Sequence, residues 1–230
     1  MTGACALPFL FAKDLGQRTV GLANAAAAGL MLAASHSLIA EGASLDIMLT
    51  LAGMLLGLAA IVLADKLLSN TGDVGVADLQ GANAVKALLI LGIMTAHSFA
   101  EGVGVGVSFA GSEGLGAYIT TAIAFHNGPE GLAIALVLVP RGSPVWKAGL
   151  WAIFTSLPQP IMAAPSYLFV EAFRPLLPVG LGLAAGAMIW MVFSELFPKA
   201  LEKVEHGSAA TVVTLAFAAM MAFQMLVLRH

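Results

Sequence analysis

Residues 87–111 read ALLILGIMTAHSFAEGVGVGVSFAG, an apolar run whose only titratable side chains are His97 and Glu101. About 20 apolar residues of helix cross a hydrocarbon core of roughly 30 Å, so the run is long enough to span a membrane. Residues 115–139, LGAYITTAIAFHNGPEGLAIALVLV, repeat the arrangement with His126 and Glu130. Four residues turn a helix through about 400°, which leaves each histidine only about 40° from its glutamate around the axis. Ser112, Glu113 and Gly114 alone separate the two runs. So short a connection makes an antiparallel hairpin and brings both pairs to one depth, near the bilayer midplane.

The rest of the chain fits this reading. It has 230 residues, 60% hydrophobic and 10% charged, with mean hydropathy +0.95, whereas a soluble domain carries about 25% charged residues. Further spans are expected at 20–40, 47–64, 148–170, 176–197 and 209–228, giving seven with the central pair. They are long and rich in Ala, Leu, Gly and Met, unlike the short alternating segments of a transmembrane barrel. The expected fold is therefore all-α, a polytopic transmembrane helical bundle forming a single domain over 1–230.

A polar stretch at 65–86 reads as a solvated loop linking two helical groups. Lys13, Arg18, Lys66, Lys86, Arg141, Lys147, Lys199 and Lys203 fall on one side of the spans, and Arg174 and Arg229 on the other. Basic residues near span ends stay cytoplasmic, which predicts a cytoplasmic N-terminus, a cytoplasmic 65–86 loop and an external C-terminus. The apolar stretch at 2–12 is too short to cross and reads as the tail of an upstream span. A net charge of −3 with scattered Lys and Arg excludes nucleic acid as a partner. The single cysteine, Cys5, excludes an internal disulfide and a cysteine-rich metal site.

A charged side chain at a span centre costs about 2.5–3.5 kcal/mol on insertion scales, so those that persist are functional candidates. Two imidazoles and two carboxylates suit a divalent first-row metal such as Zn²⁺, Fe²⁺ or Mn²⁺. The two negative charges would cancel the charge of the ion, and metal entry would release protons. The plainer reading, interhelical hydrogen-bond pairs, accounts less well for two pairs matched in depth. Ser98 and Asn127, each following its histidine, add neutral oxygen ligands. Pro129, lacking an N–H, is expected to break its helix beside Gly128 and expose the Phe125 carbonyl; an ordinary kink is the alternative. Gly102, Gly104 and Gly106 predict close helix packing.

HSFAEG at 97–102 and HNGPEG at 126–131 resemble the paired signatures of the fourth and fifth helices of ZIP (Zrt/Irt-like) divalent-metal transporters. MLAASHSLIAEG at 31–42, LPQP at 157–160 and FSELFP at 193–198 resemble the second, sixth and seventh helices, so the likeness covers nearly the whole chain. It implies an eight-helix fold, here lacking the first helix, that carries metal ions into the cytosol through a binuclear centre. Zinc is the first expectation for the cargo, with iron, manganese or cadmium as alternatives. The expected setting is the cell (inner) membrane, and a homodimer is among the expected partners. The resemblance assigns His97, Glu101, His126 and Glu130 to a first ion, and Ser98, Asn127, Glu101 and Glu130 to a second.

Where some relatives complete the second site with a carboxylate, this chain has Gln159 before Pro160, which predicts a weaker second ion. Glu195 could receive an ion leaving the centre or could snorkel to water. Met31 could lid the site, though core packing explains it as readily. His36 and Glu41 could form an entrance or be ordinary interfacial residues, and His206 and His230 have no expected role. No phosphate-binding glycine loop with lysine is present, so transport without ATP is expected rather than an enzyme. An intramembrane zinc-dependent hydrolase using Glu130 as general base is the rival reading, and the sequence contains no HExxH.

Overall fold

The computed structural model describes Gly3 and residues 16–69, 84–139 and 143–227. Within these residues every regular element is a helix: α1 (Gln17–Ser69), α2 (Ala84–Gly111), α3 (Glu113–Leu138), α4 (Val145–Ser156), α5 (Pro158–Ala172), α6 (Leu177–Met191), α7 (Phe197–Leu201) and α8 (His206–Val227). A 3₁₀ turn at Arg174–Leu176 precedes α6, and a π-helical turn at Val192–Leu196 joins α6 to α7. The expectations for the 2–12 segment apart from Gly3, for 70–83 of the linking loop and for His230 lie outside the described residues. Residues 65–69 and 84–86 of that loop are helical.

Local chemistry sets the breaks. Asp46 leaves helical conformation at φ −160° and ψ 111°. Its Oδ1 accepts from the N–H groups of Met48 and Leu49, both at 2.9 Å, and so caps the second arm of α1. The first two expected spans are thus two arms meeting at a capped corner. The expected span at 148–170 is also two helices, because Pro158 and Pro160 remove two N–H donors where α4 meets α5. By contrast, α3 continues through Pro129 without a break. The expected rupture there does not occur, since one missing N–H is tolerated where neighbouring turns stay bonded and packed.

Among the described residues, three helical stretches, Gln17–Leu67, Arg174–Leu201 and His206–Leu226, are long and apolar enough to cross a membrane. Many large apolar side chains face outward, among them Met48, Leu55, Leu56, Leu63, Phe169 and Leu226. A surface this apolar would be costly in water and suits lipid. The buried core joins α1, α2, α3, α6 and α8 through Met31, Leu38, Val107, Ile119, Ile123, Leu181, Met188 and Met220.

Packing partners sort by close approach. The second arm of α1 lies against α6 in a reciprocal glycine contact: a Cβ on Gly53 or Gly57 would strike the backbone of Val179 or Leu183. A Cβ on Gly182 or Gly186 would strike that of Thr50 or Met54. Without a hydrophobic drive between helices in lipid, such backbone approach supplies the packing energy. Gly102 and Gly106 do the same for α2 against Gln159 and Ala163 of α5, as their spacing predicts, while Gly104 faces side chains of Ala184 and Met188. Gly57→Ala and Gly186→Ala should each cost about 1–3 kcal/mol by overpacking. Gly207→Ala, with open space around it, should leave stability unchanged or raised; thermal unfolding in detergent checks all three.

Candidate metal centre

The hairpin of α2 and α3 is tighter than its sequence suggests. Helix α2 ends at Gly111, and Ser112 caps α3 by accepting from the Leu115 N–H at 3.1 Å. One residue therefore turns the chain, and the faces of α2 and α3 are held at matched depth. His97, Ser98, Glu101, His126, Asn127 and Glu130 are all buried, Glu101 completely. Burying so many polar groups in an apolar bundle is unfavourable unless each finds a partner.

Glu101, His126 and Glu130 converge, each offering a ligand-type atom within 4.8 Å of the others. His126 Nε2 lies 3.2 Å from Glu101 Oε1 across the hairpin and 3.8 Å from Glu130 Oε1 along its own helix. This triad could hold a divalent cation between two carboxylates and an imidazole. Ser98 Oγ, Glu101 Oε1 and His126 Nδ1 are buried without a hydrogen-bond partner.

His97 is placed differently from the expectation of four groups at one point. Its Nε2 lies 2.9 Å from Oε1 of Glu195, while the second oxygen of Glu195 accepts from Lys199 Nζ at 2.9 Å. Glu195 reaches inward because of the π-helical turn. Pro198 has no N–H to offer Ser194, and the Phe197 N–H donates to the Val192 carbonyl five residues back. Inserting a residue this way re-aims the side chains of the turn.

Gln159 joins the triad from the start of α5. Its Nε2 donates to Glu101 Oε2 and, at 3.0 Å, to Asn127 Oδ1. Its Oε1 accepts from Asn127 Nδ2 at 2.8 Å. The amide pair is thus mutually satisfied and also supplies a donor to a buried carboxylate. Gly102 makes this contact possible, since a side chain there would displace the backbone of Gln159.

The outlying candidates are not brought to the cluster. Met31 is buried in the apolar core. His36 is exposed, its ring edge-on to Phe217 with centroids 6.3 Å apart. Glu41 is half-buried, and its carbonyl accepts from Ser44 Oγ. The sequence reading used Lys199 only for orientation and missed its ion pair. The available signal was its place four residues after Glu195, a spacing that favours an acid–base pair on one helix.

An all-helical integral membrane protein with carboxylates and imidazoles buried between two neighbouring helices is the class that these features define. Residues 69–165 match the family model described as ZIP Zinc transporter. The chain is 46% identical over 230 residues to a protein of Arabidopsis thaliana to which zinc transport is provisionally ascribed; the match covers 98% of this chain and 37% of that one. It is 35% identical over 149 residues to the zinc transporter ZIPB of Bordetella bronchiseptica, covering 63% of this chain and 48% of the other. With the zinc transporter ZupT of Chlorobium chlorochromatii it shares 28% identity over 231 residues, covering 90% and 86%. The chain belongs to the ZIP family. It spans less than half the length of the Arabidopsis and Bordetella relatives.

The geometry separates two polar residues of the site by what each touches. Gln159→Ala removes a donor from buried Glu101 and both contacts of Asn127, and should cost about 1–3 kcal/mol in metal-free protein. Ser98→Ala removes an unpartnered buried hydroxyl and should leave stability unchanged or slightly raised. Chelator-treated protein unfolded by heat in detergent gives both values.

Proposed function

We propose that this chain carries Zn²⁺ across a membrane into the cytosol, coordinating it between α2 and α3 during passage. The observation that carries the reading is the buried convergence of Glu101, His126 and Glu130. Two carboxylates and one divalent ion sum to no net charge, so the ion occupies the low-dielectric interior without a large desolvation cost. The names of the matched relatives, zinc transporters in each case quoted, favour zinc as cargo. Fe²⁺, Mn²⁺ and Cd²⁺ share the ligand chemistry and are secondary candidates. The hydrolase alternative gains nothing from the geometry, since Glu130 sits within the ligand triad rather than apart from it as a free base.

In this reading the two arms of α1, α2, α3, the α4–α5 pair, the run from α6 to α7, and α8 are seven spans. The N-terminus faces the cytoplasm and the C-terminus the outside, as the distribution of Lys and Arg requires. Glu101, His126 and Glu130 form the central stop for the ion, with Ser98 contributing its unpartnered hydroxyl. His97 and Glu195 form the next stop toward the cytoplasmic end of α6. Because imidazole and carboxylate must be free of protons to coordinate, each ion displaces protons as it binds.

The Gln159–Asn127 amide pair makes the centre a one-ion site. Gln159 already donates to Glu101 Oε2, where a second cation would otherwise be attracted, and it brings no charge of its own. A second divalent ion would meet the first at short range with only two carboxylates shared between them, and that repulsion grows as dielectric falls.

Two outcomes follow. Replacing Glu101 and Glu130 together with alanine should abolish saturable Zn²⁺ binding in detergent and Zn²⁺ uptake by proteoliposomes; calorimetry showing unchanged affinity would overturn the site. Gln159→Glu should raise bound Zn²⁺ from one toward two per chain at the same free concentration. Equilibrium dialysis of both proteins measures that stoichiometry, and two equally tight ions in the unmodified chain would refute the role given to Gln159.

A further inference from the structure

Lys199 is not needed for the metal chemistry described so far, yet it is tied directly into it. It stands on α7, a five-residue helix, and its Nζ lies 2.9 Å from Glu195 Oε2. The opposite oxygen of Glu195 faces His97 Nε2, also at 2.9 Å. Both oxygens of this carboxylate are therefore taken, one by an imidazole from α2 and one by an ammonium. Each side chain of the acid–base pair is largely shielded, Lys199 at 24% and Glu195 at 20% exposure, so the attraction is screened less than that of a surface pair.

An imidazole and a carboxylate 2.9 Å apart are a two-ligand stop on which a divalent ion could settle. Lys199 occupies the remaining oxygen from the side away from His97. We propose that Lys199 is a tethered cation that keeps the His97–Glu195 pair from becoming a resident second metal site, so that an ion reaching it passes on. This inference rests on the metal reading proposed above.

Charge supports the assignment. Glu101, Glu130 and Glu195 with Lys199 carry −2 when all are ionised and the imidazoles are neutral, a charge that one divalent ion cancels. Without Lys199 the same groups carry −3, and one ion leaves an excess negative charge that attracts another. The lysine thus favours single occupancy over the extended cluster, just as Gln159 does within the triad, but by a full charge rather than by a neutral donor. The geometry also gives the ammonium an alternative place: it lies near the end of the spans, and its flexible stem can swing to water when an ion takes up Glu195 Oε2, then return as the ion leaves.

A plain helix salt bridge at a spacing of four would add slightly to helix stability and would not touch ion count. The test uses the full chain purified in detergent, titrated with Zn²⁺ by equilibrium dialysis, and the same protein in liposomes for uptake. Lys199→Met, which keeps the stem and removes the charge, should bind a second Zn²⁺ at least about tenfold more tightly than the unmodified protein and turn over more slowly. Lys199→Gln should do the same, which covers a folding failure of the first variant. Lys199→Arg should restore one-ion behaviour, and adding Glu195→Gln to Lys199→Met should remove the extra ion. If Lys199→Met and Lys199→Gln keep the stoichiometry and turnover of the unmodified protein and change only its melting temperature, the lysine is structural and the proposal falls. An arginine variant that behaves like the methionine one overturns the charge argument. Unmodified protein that binds no Zn²⁺ saturably removes the metal reading itself, a result distinct from either.

Discussion

Glu101 is buried completely at the centre of an apolar helical bundle, and the arrangement around it follows from the need to compensate that charge. A carboxylate out of water is tolerated only with donors or opposite charge close by. Gln159 supplies a donor to one oxygen, and His126 approaches the other from across the hairpin. Glu130 adds a second acid nearby. Such a cluster favours a cation, which is the physical link between the fold of this chain and the transport proposed for it.

The backbone irregularities serve that cluster. Two prolines divide α4 from α5 and place Gln159 on the first turn of α5. Gly102 lets that turn rest on α2 beside Glu101. The π-helical turn ahead of Pro198 aims Glu195 at His97. The prolines at the α4–α5 junction and the π-helical turn lie on helices that neighbour the hairpin, while α2 and α3 each run as one continuous helix. The ligand helices are thus continuous and closely joined, and the helices packed on them bring Gln159 and Glu195 to the site. A neutral amide on one side and an ammonium on the other then bound the charge that the interior can accept.

The all-helical class, the hairpin and the buried histidine–glutamate pairs were legible in the residues because they depend on local quantities. An apolar run of given length fixes a span, a spacing of four fixes a shared face, and a short connection fixes an antiparallel neighbour. Gly102 and Gly106 were legible for the same reason. The effect of Pro129 was not, because whether one missing N–H breaks a helix depends on the packing that surrounds it. Membership of the ZIP family rests on motifs already visible at 97–102 and 126–131 and on the matches over 69–165 and the longer alignments.

Residue spacing by itself determined which side chains could meet along one helix, namely His97 with Glu101 and His126 with Glu130. Only the tertiary structure decided which of them do meet across helices: His126 with Glu101, His97 with Glu195, and Gln159 with both Glu101 and Asn127. The reason is geometric. Periodicity sets the angle of a side chain about its own axis, but the partner it reaches depends on the rotation, depth and separation of the neighbouring helix, and here those are set by glycines, prolines and a π-helical turn whose effect on inter-helix placement cannot be read from spacing along one helix.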